Sequence, residues 1–209
     1  VVDAVAPIRI GVRAGAALLL ALFSHAVHAH SGAQGIGDFY AGFLHPLTAL
    51  EHVLPFFALG LLTGQQGTKS QGAPALFAIA LMLGAVACLW LPGVPAIDLV
   101  NIVSALMLGA LIAAAFSLPT PVYLGLALLF GLSHGYANGA AIGPPMKAYL
   151  FILGVGLAGL VVTGYGLVVT DYVLRKNVGW MRIAVRVAGS WIAAIGMLVL
   201  ATSWKRLAV

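Results

Sequence analysis

Two histidines and a glutamate stand within HPLTALEH at 45–52, inside a run that is otherwise apolar. His45 and His52 are seven positions apart, which on a continuous helix is two turns at nearly one azimuth, so the imidazoles are expected to share a face. Glu51 lies beside that face, about 100° round the helix from His52. A second polar set occurs in LSHGYANG, where His134 and Asn138 are one turn apart. Asp98 and Asn101 add an acid and an amide three residues apart, and His30 and Asp38 precede the first set. Imidazole nitrogen combined with carboxylate or amide oxygen suits borderline divalent metals such as nickel, cobalt, zinc or copper(II), and suits calcium and magnesium poorly. His30, His45, Glu51, His52, Asp98, His134 and Asn138 are therefore the candidate metal ligands, with the ion as substrate and no cofactor required. Several have a structural alternative. His134 could simply bridge helices by a hydrogen bond, and Asp98, Asn101 and Asp38 could cap helices.

These residues need a frame, and the composition specifies a membrane. The chain is 62% hydrophobic and 7% charged, with a mean hydropathy of +1.09. Apolar runs at 39–63, 74–91, 97–117, 121–141, 147–170 and 183–203 are each near or above the roughly 20 residues that cross hydrocarbon as a helix. Short connections of turn residues such as PGVP and SLPTP separate them. The expected fold is all-α, a polytopic membrane bundle of six transmembrane helices after an N-terminal signal segment. Residues 1–29 have the layout of a signal peptide: Arg9 and Arg13, a short apolar core, then small residues at Val27 and Ala29. Cleavage after Ala29 would make His30 the amino terminus and leave 30–209 as the six-helix domain; the alternative is an uncleaved extra helix.

With the mature amino terminus outside, Lys69, Arg175, Lys176 and Arg182 fall inside, and Lys147, Lys205 and Arg206 outside. The candidate ligands then gather in the outer half or near the midplane. Ionisable groups at the bilayer centre cost about 2.5 to 3.5 kcal/mol each, so several together are expected to pair, face a wet cavity or bind an ion. Pro46 and Pro55 each remove a backbone donor and predict a kink or interruption near the histidines. Gly135 and Gly139 form a GxxxG stripe on which another helix could approach closely and meet His134. Gly60 and Gly64 form another, equally suited to packing within the chain or between copies, and the oligomeric state stays open. GFLH at 42–45 against GLSH at 131–134 hints at two inverted three-helix halves.

Other classes are disfavoured. The cations are scattered at helix ends, which argues against nucleic acid, and no nucleotide-binding motif occurs. Cys88 stands alone, so neither a disulfide nor a cysteine knuckle is available. Without H-E-x-x-H or a repeated E-x-x-H, an enzyme is not expected.

The segments GFLHPLTALEHVLPFFALGLLTG, GLSHGYANG and RVAGSWIAAIGMLVL together resemble the HupE/UreJ family of small membrane proteins. That resemblance implies a cleaved leader and six helices, a bacterial inner-membrane location, and uptake of nickel or cobalt for hydrogenase and urease. The family's first signature, approximately H-P-x-x-G-x-D-H, is matched by His45, Pro46 and His52, with Glu51 in place of the aspartate and Ala49 in place of the glycine. Its second, approximately H-G-x-A-H-G-x-E, is matched by His134, Gly135, Ala137 and Gly139, with Asn138 replacing a histidine and Ala141 a glutamate.

The expected function is thus a secondary transporter for a divalent transition metal, with the lipid bilayer and the ion as its partners. A non-transporting metal-binding accessory or sensor subunit is the alternative, favoured by the changes at 138 and 141. Neutral imidazole is the ligand form, so uptake is expected to fall as pH drops through the ordinary histidine pKa near ~6.5.

Overall fold

Proline decides where the first apolar run breaks. A computed structural model describes residues 37–67, 71–176 and 178–207; the leader expected at 1–29 and His30 lie outside them. The run expected as one helix over 39–63 is two, α1 (Asp38–Thr48) and α2 (Leu50–Gln66), bent by 81° at Ala49. Pro46 cannot donate to the carbonyl of Gly42, and α1 ends two residues later. Ala49 is extended (φ −110°, ψ 117°), Thr48 Oγ1 donates to the His45 carbonyl at 2.9 Å, and the amides of His52 and Val53 restart the helix on the Ala49 carbonyl, both at 3.0 Å. Pro55 is accommodated inside α2 without a second break.

The remaining runs give α3 (Ala73–Trp90), α4 (Ile97–Ala114), α5 (Thr120–Gly139), α6 (Ala148–Arg175) and α7 (Gly179–Leu207), and no strand occurs among the described residues. α3, α4, α6 and the Gly179–Ser203 stretch of α7 are long and apolar enough to cross a membrane, and α1 with α2 would make a fifth, broken span. α5 has the length, 20 residues, but His134, Asn138 and its glycines dilute its apolarity. α6 outruns the expected 147–170 because its polar end stays helical, with Arg175 Nε donating to Asp171 Oδ2 one turn earlier at 2.7 Å.

α2 is the centre. It packs against α6 on one side and α4 on the other, touches α1, α3 and α7, and reaches α5 through side chains. α3 lies most extensively on α5 and α4 on α7, while α6 carries α1 and part of α3. Lipid tails are as apolar as leucine, so backbone approach and van der Waals contact must hold such pairs. The α3–α5 pair shows how. A Cβ on Gly135 would collide with the Leu81 carbonyl, and one on Gly84 with the Leu132 carbonyl. Gly60 and Gly64 likewise abut α6 at Thr163, Leu167 and Thr170, so that stripe serves packing within the chain.

Phe56, Leu59, Leu62, Phe77, Leu81, Leu108 and Ile112 fill the centre. Into it α2 and α5 place one hydrogen-bonded pair, Thr63 and Tyr123, both fully buried. Thr63 Oγ1 donates to the Leu59 carbonyl at 2.7 Å, so the Tyr123 hydroxyl is the donor to Thr63. Tyr123→Phe is therefore expected to cost only about 0.6 to 1.5 kcal/mol, because Thr63 keeps its own acceptor. Unfolding in detergent measures it, and a loss several times larger would show that the pair does more than join two helices.

Candidate metal site

At one end of the bundle the α1–α2 break, the start of α4 and the ends of α5 and α7 surround a cavity of about 460 Å3. His45, Glu51, His52, Asp98 and Asn101 line it together with Ala141 and Ser203. Glu51 and Asp98 are exposed, His45 is partly covered, and His52 is buried at 7% exposure. A neighbouring cavity of about 620 Å3 along the α3–α4 loop shares Asp98 and Ala137 and brings no further histidine or glutamate.

The break changes how the two histidines meet. On one straight helix they would share a face but stand about 10 Å apart along the axis. Because the chain bends between them, they do not lie on one continuous face, and their ring centroids are 6.2 Å apart. A ring centroid sits about 3 Å from a metal bound by its nitrogen, so centroids up to about 6.5 Å apart can share one ion. Glu51 lies in the first turn of α2.

His134 belongs to the floor. It is completely buried, its ring 5.4 Å from that of His52 and 5.5 Å from that of Phe56. Both of its nitrogens meet protein groups: Nδ1 is 3.2 Å from His52 Nδ1, and Nε2 is 2.8 Å from Ser104 Oγ. The glycine stripe beside it does not bring these partners. Gly135 and Gly139 take the backbone of α3, whereas the histidine is met by α2 and α4. Asn138 is also fully buried; its Nδ2 donates to the His134 carbonyl at 2.7 Å and its Oδ1 has no hydrogen-bond partner.

The capping alternatives are not what α4 and α1 use. α4 opens on Ala96, at φ 63°, without a side-chain cap. Asn101 turns across to α5 instead, its Nδ2 3.5 Å from the Ser133 carbonyl, and its buried Oδ1 is unpartnered at the cavity wall. Asp38 Oδ2 accepts from the Lys147 amide at 2.9 Å, tying the start of α1 to the start of α6. As the side chains stand, no three of His, Cys, Asp and Glu among the described residues converge on one point. Ser104 escaped the sequence reading, although Asp98-x-x-Asn101-x-x-Ser104 is a polar stripe at helical spacing.

A family model described as HupE / UreJ protein matches residues 18–199, most of the chain. The chain belongs to the HupE/UreJ family. It is 30% identical over 147 residues to Protein HupE of Rhizobium leguminosarum bv. viciae, an alignment that covers 64% of this chain and 76% of that protein. No solved structure matches it. On the HupE/UreJ signatures the departures fall at telling places. Ala49 is the extended residue of the break, and Ala141, where the signature has glutamate, lines the same cavity as His45, Glu51 and His52.

Proposed function

We propose that the chain is a permease that takes up a divalent transition metal, nickel foremost and cobalt next, through the cavity between α1, α2 and α4. The observation that carries this reading is the gathering of two histidines and two carboxylates, from three helices, on one cavity. Two carboxylates match the charge of a divalent ion, and the unpartnered Asn101 Oδ1 adds an oxygen donor. Asp98 supplies from α4 the carboxylate that position 141 lacks. Counting α5 and the bent α1–α2 pair as spans gives six, with the cavity facing outward in a bacterial inner membrane and the mature amino terminus on that side. Membrane potential is a sufficient drive: a divalent ion gains about 4.6 kcal/mol at 100 mV, twice the roughly 2.3 per charge.

A carrier must release its ion, so modest binding suits transport. The test is accumulation of nickel, cobalt, zinc and copper, each alone, in cells lacking their own nickel and cobalt importers. Accumulation of one metal with turnover supports the permease. Glu51→Asp, which restores the signature residue, is expected to keep it, and Glu51→Gln to lose most of it, because the amide keeps the shape without the charge.

The second reading, a metal-binding accessory or sensor subunit, is favoured by the uncharged Asn138 and Ala141. It allows at most stoichiometric retention of metal, so normal expression without net accumulation would sink the permease.

A further inference from the structure

The cavity floor contains a hydrogen-bond chain whose direction the geometry determines. Ser104 Oγ lies 2.6 Å from the Asn101 carbonyl. A carbonyl oxygen only accepts, so the serine proton lies on that contact. The serine oxygen is then an acceptor toward His134 Nε2 at 2.8 Å, and His134 carries its proton on Nε2. That leaves His134 Nδ1 as a lone pair, and at 3.2 Å it accepts from His52 Nδ1–H. Run in reverse, the chain would set the Asn101 carbonyl against a serine lone pair at 2.6 Å with no proton between them. Only one order gives every contact one hydrogen.

The order ends at His52. In its neutral form a proton on Nδ1 leaves Nε2 bare, and Nε2 is the ring's far nitrogen from His134. His52 lines the cavity, whereas His134 and Ser104 are fully buried behind it. Phe56 packs edge-on against His134 and Phe77 at centroid distances of 5.5 and 5.0 Å.

We infer that Ser104 and His134 are positioning residues that hold His52 in the tautomer whose Nε2 lone pair is ready for a metal ion in the cavity. This rests on the permease reading only in taking His52 as a ligand. His134 is then not itself a ligand: both its nitrogens are spent on orienting His52, as second partners of ligating histidines commonly are. Without the chain, His52 is free to carry its proton on Nε2, where it blocks the lone pair.

Titration of the purified full chain in detergent with Ni2+ alone tests this, using calorimetry alongside thermal unfolding. Ser104→Ala is expected to weaken Ni2+ binding about 10- to 100-fold, the range seen when an outer partner is removed, with a modest loss of stability because the buried His134 N–H loses its acceptor. His134→Leu is expected to weaken it as far or further. His134→Gln recovers most of that loss, because a glutamine amide can donate to Ser104 and accept from His52. The glutamine–leucine pair carries the test even if Ser104→Ala fails to fold.

Wild-type affinity in Ser104→Ala would overturn the inference, and so would a His134→Gln protein as weak as His134→Leu, which is the result for a ligand. A wild-type chain that binds no Ni2+ fails differently: it overturns the site reading itself, and this inference with it.

Discussion

His52→Ala is expected to lower metal accumulation to that of cells without the protein, a larger loss than the roughly 10- to 100-fold typical of a supporting partner. Among the described residues, His52 is the histidine that both lines the cavity and joins the buried chain beneath it. Its removal takes a candidate ligand, strips His134 Nδ1 of its donor and opens space beside the His134 ring. His45→Ala takes the paired imidazole, 6.2 Å away between ring centroids, and is expected to be as damaging. The double variant should then add almost nothing, because residues that act as one unit are not additive. Uptake assays with expression checked by immunoblot decide this. Substantial accumulation by either single variant would remove that histidine from the transport site.

A large effect on stability is expected at Gly135. A Cβ there meets the Leu81 carbonyl, part of the α3 backbone that cannot swing aside as a side chain would. Gly135→Ala is therefore expected to destabilise by the upper part of the roughly 1 to 3 kcal/mol typical of overpacking, by forcing α3 and α5 apart. The same displacement moves His134, its immediate neighbour, so binding should suffer with folding. Gly125 on the same helix is the control, since nothing lies within 4 Å of a Cβ built there. Gly125→Ala should be neutral or stabilising by up to about 1 kcal/mol, through helix propensity alone. Equal stability of the two variants in detergent unfolding would mean that the helices slide past each other without cost.

The apolar runs made the helices legible, because crossing a membrane imposes a length and a composition that few sequences satisfy by accident. Pro46 announced an interruption near the histidines, but not its angle or its place at Ala49, which depend on how α1 lies along α6. The pairing of His45 with His52 was legible through helical azimuth, and the structure reaches it by another route, the bend. The cavity's third wall was half legible. Asp98 and Asn101 stood out as polar residues in an apolar run, while Ser104, one turn on, resembles any small residue on a tightly packed helix until its partner His134 is located. The GxxxG stripe correctly signalled close approach; which helix would come, α3 and not α2 or α4, is a matter of tertiary arrangement that spacing along one helix does not contain.

Asp38 holds the Lys147 amide, and Gly42 lies against the backbone at Phe151. α1 is therefore secured by a helix synthesised more than a hundred residues after it. With 11 residues, α1 is far too short to span the bilayer by itself, and the 17 of α2 are marginal. During biogenesis the bend between α1 and α2 must wait, loosely held, until α6 leaves the ribosome and docks. A ribosome stalled before residue 148 would leave a chain with both histidines and no site, and truncation there should expose the cavity segment to proteases that the finished protein resists.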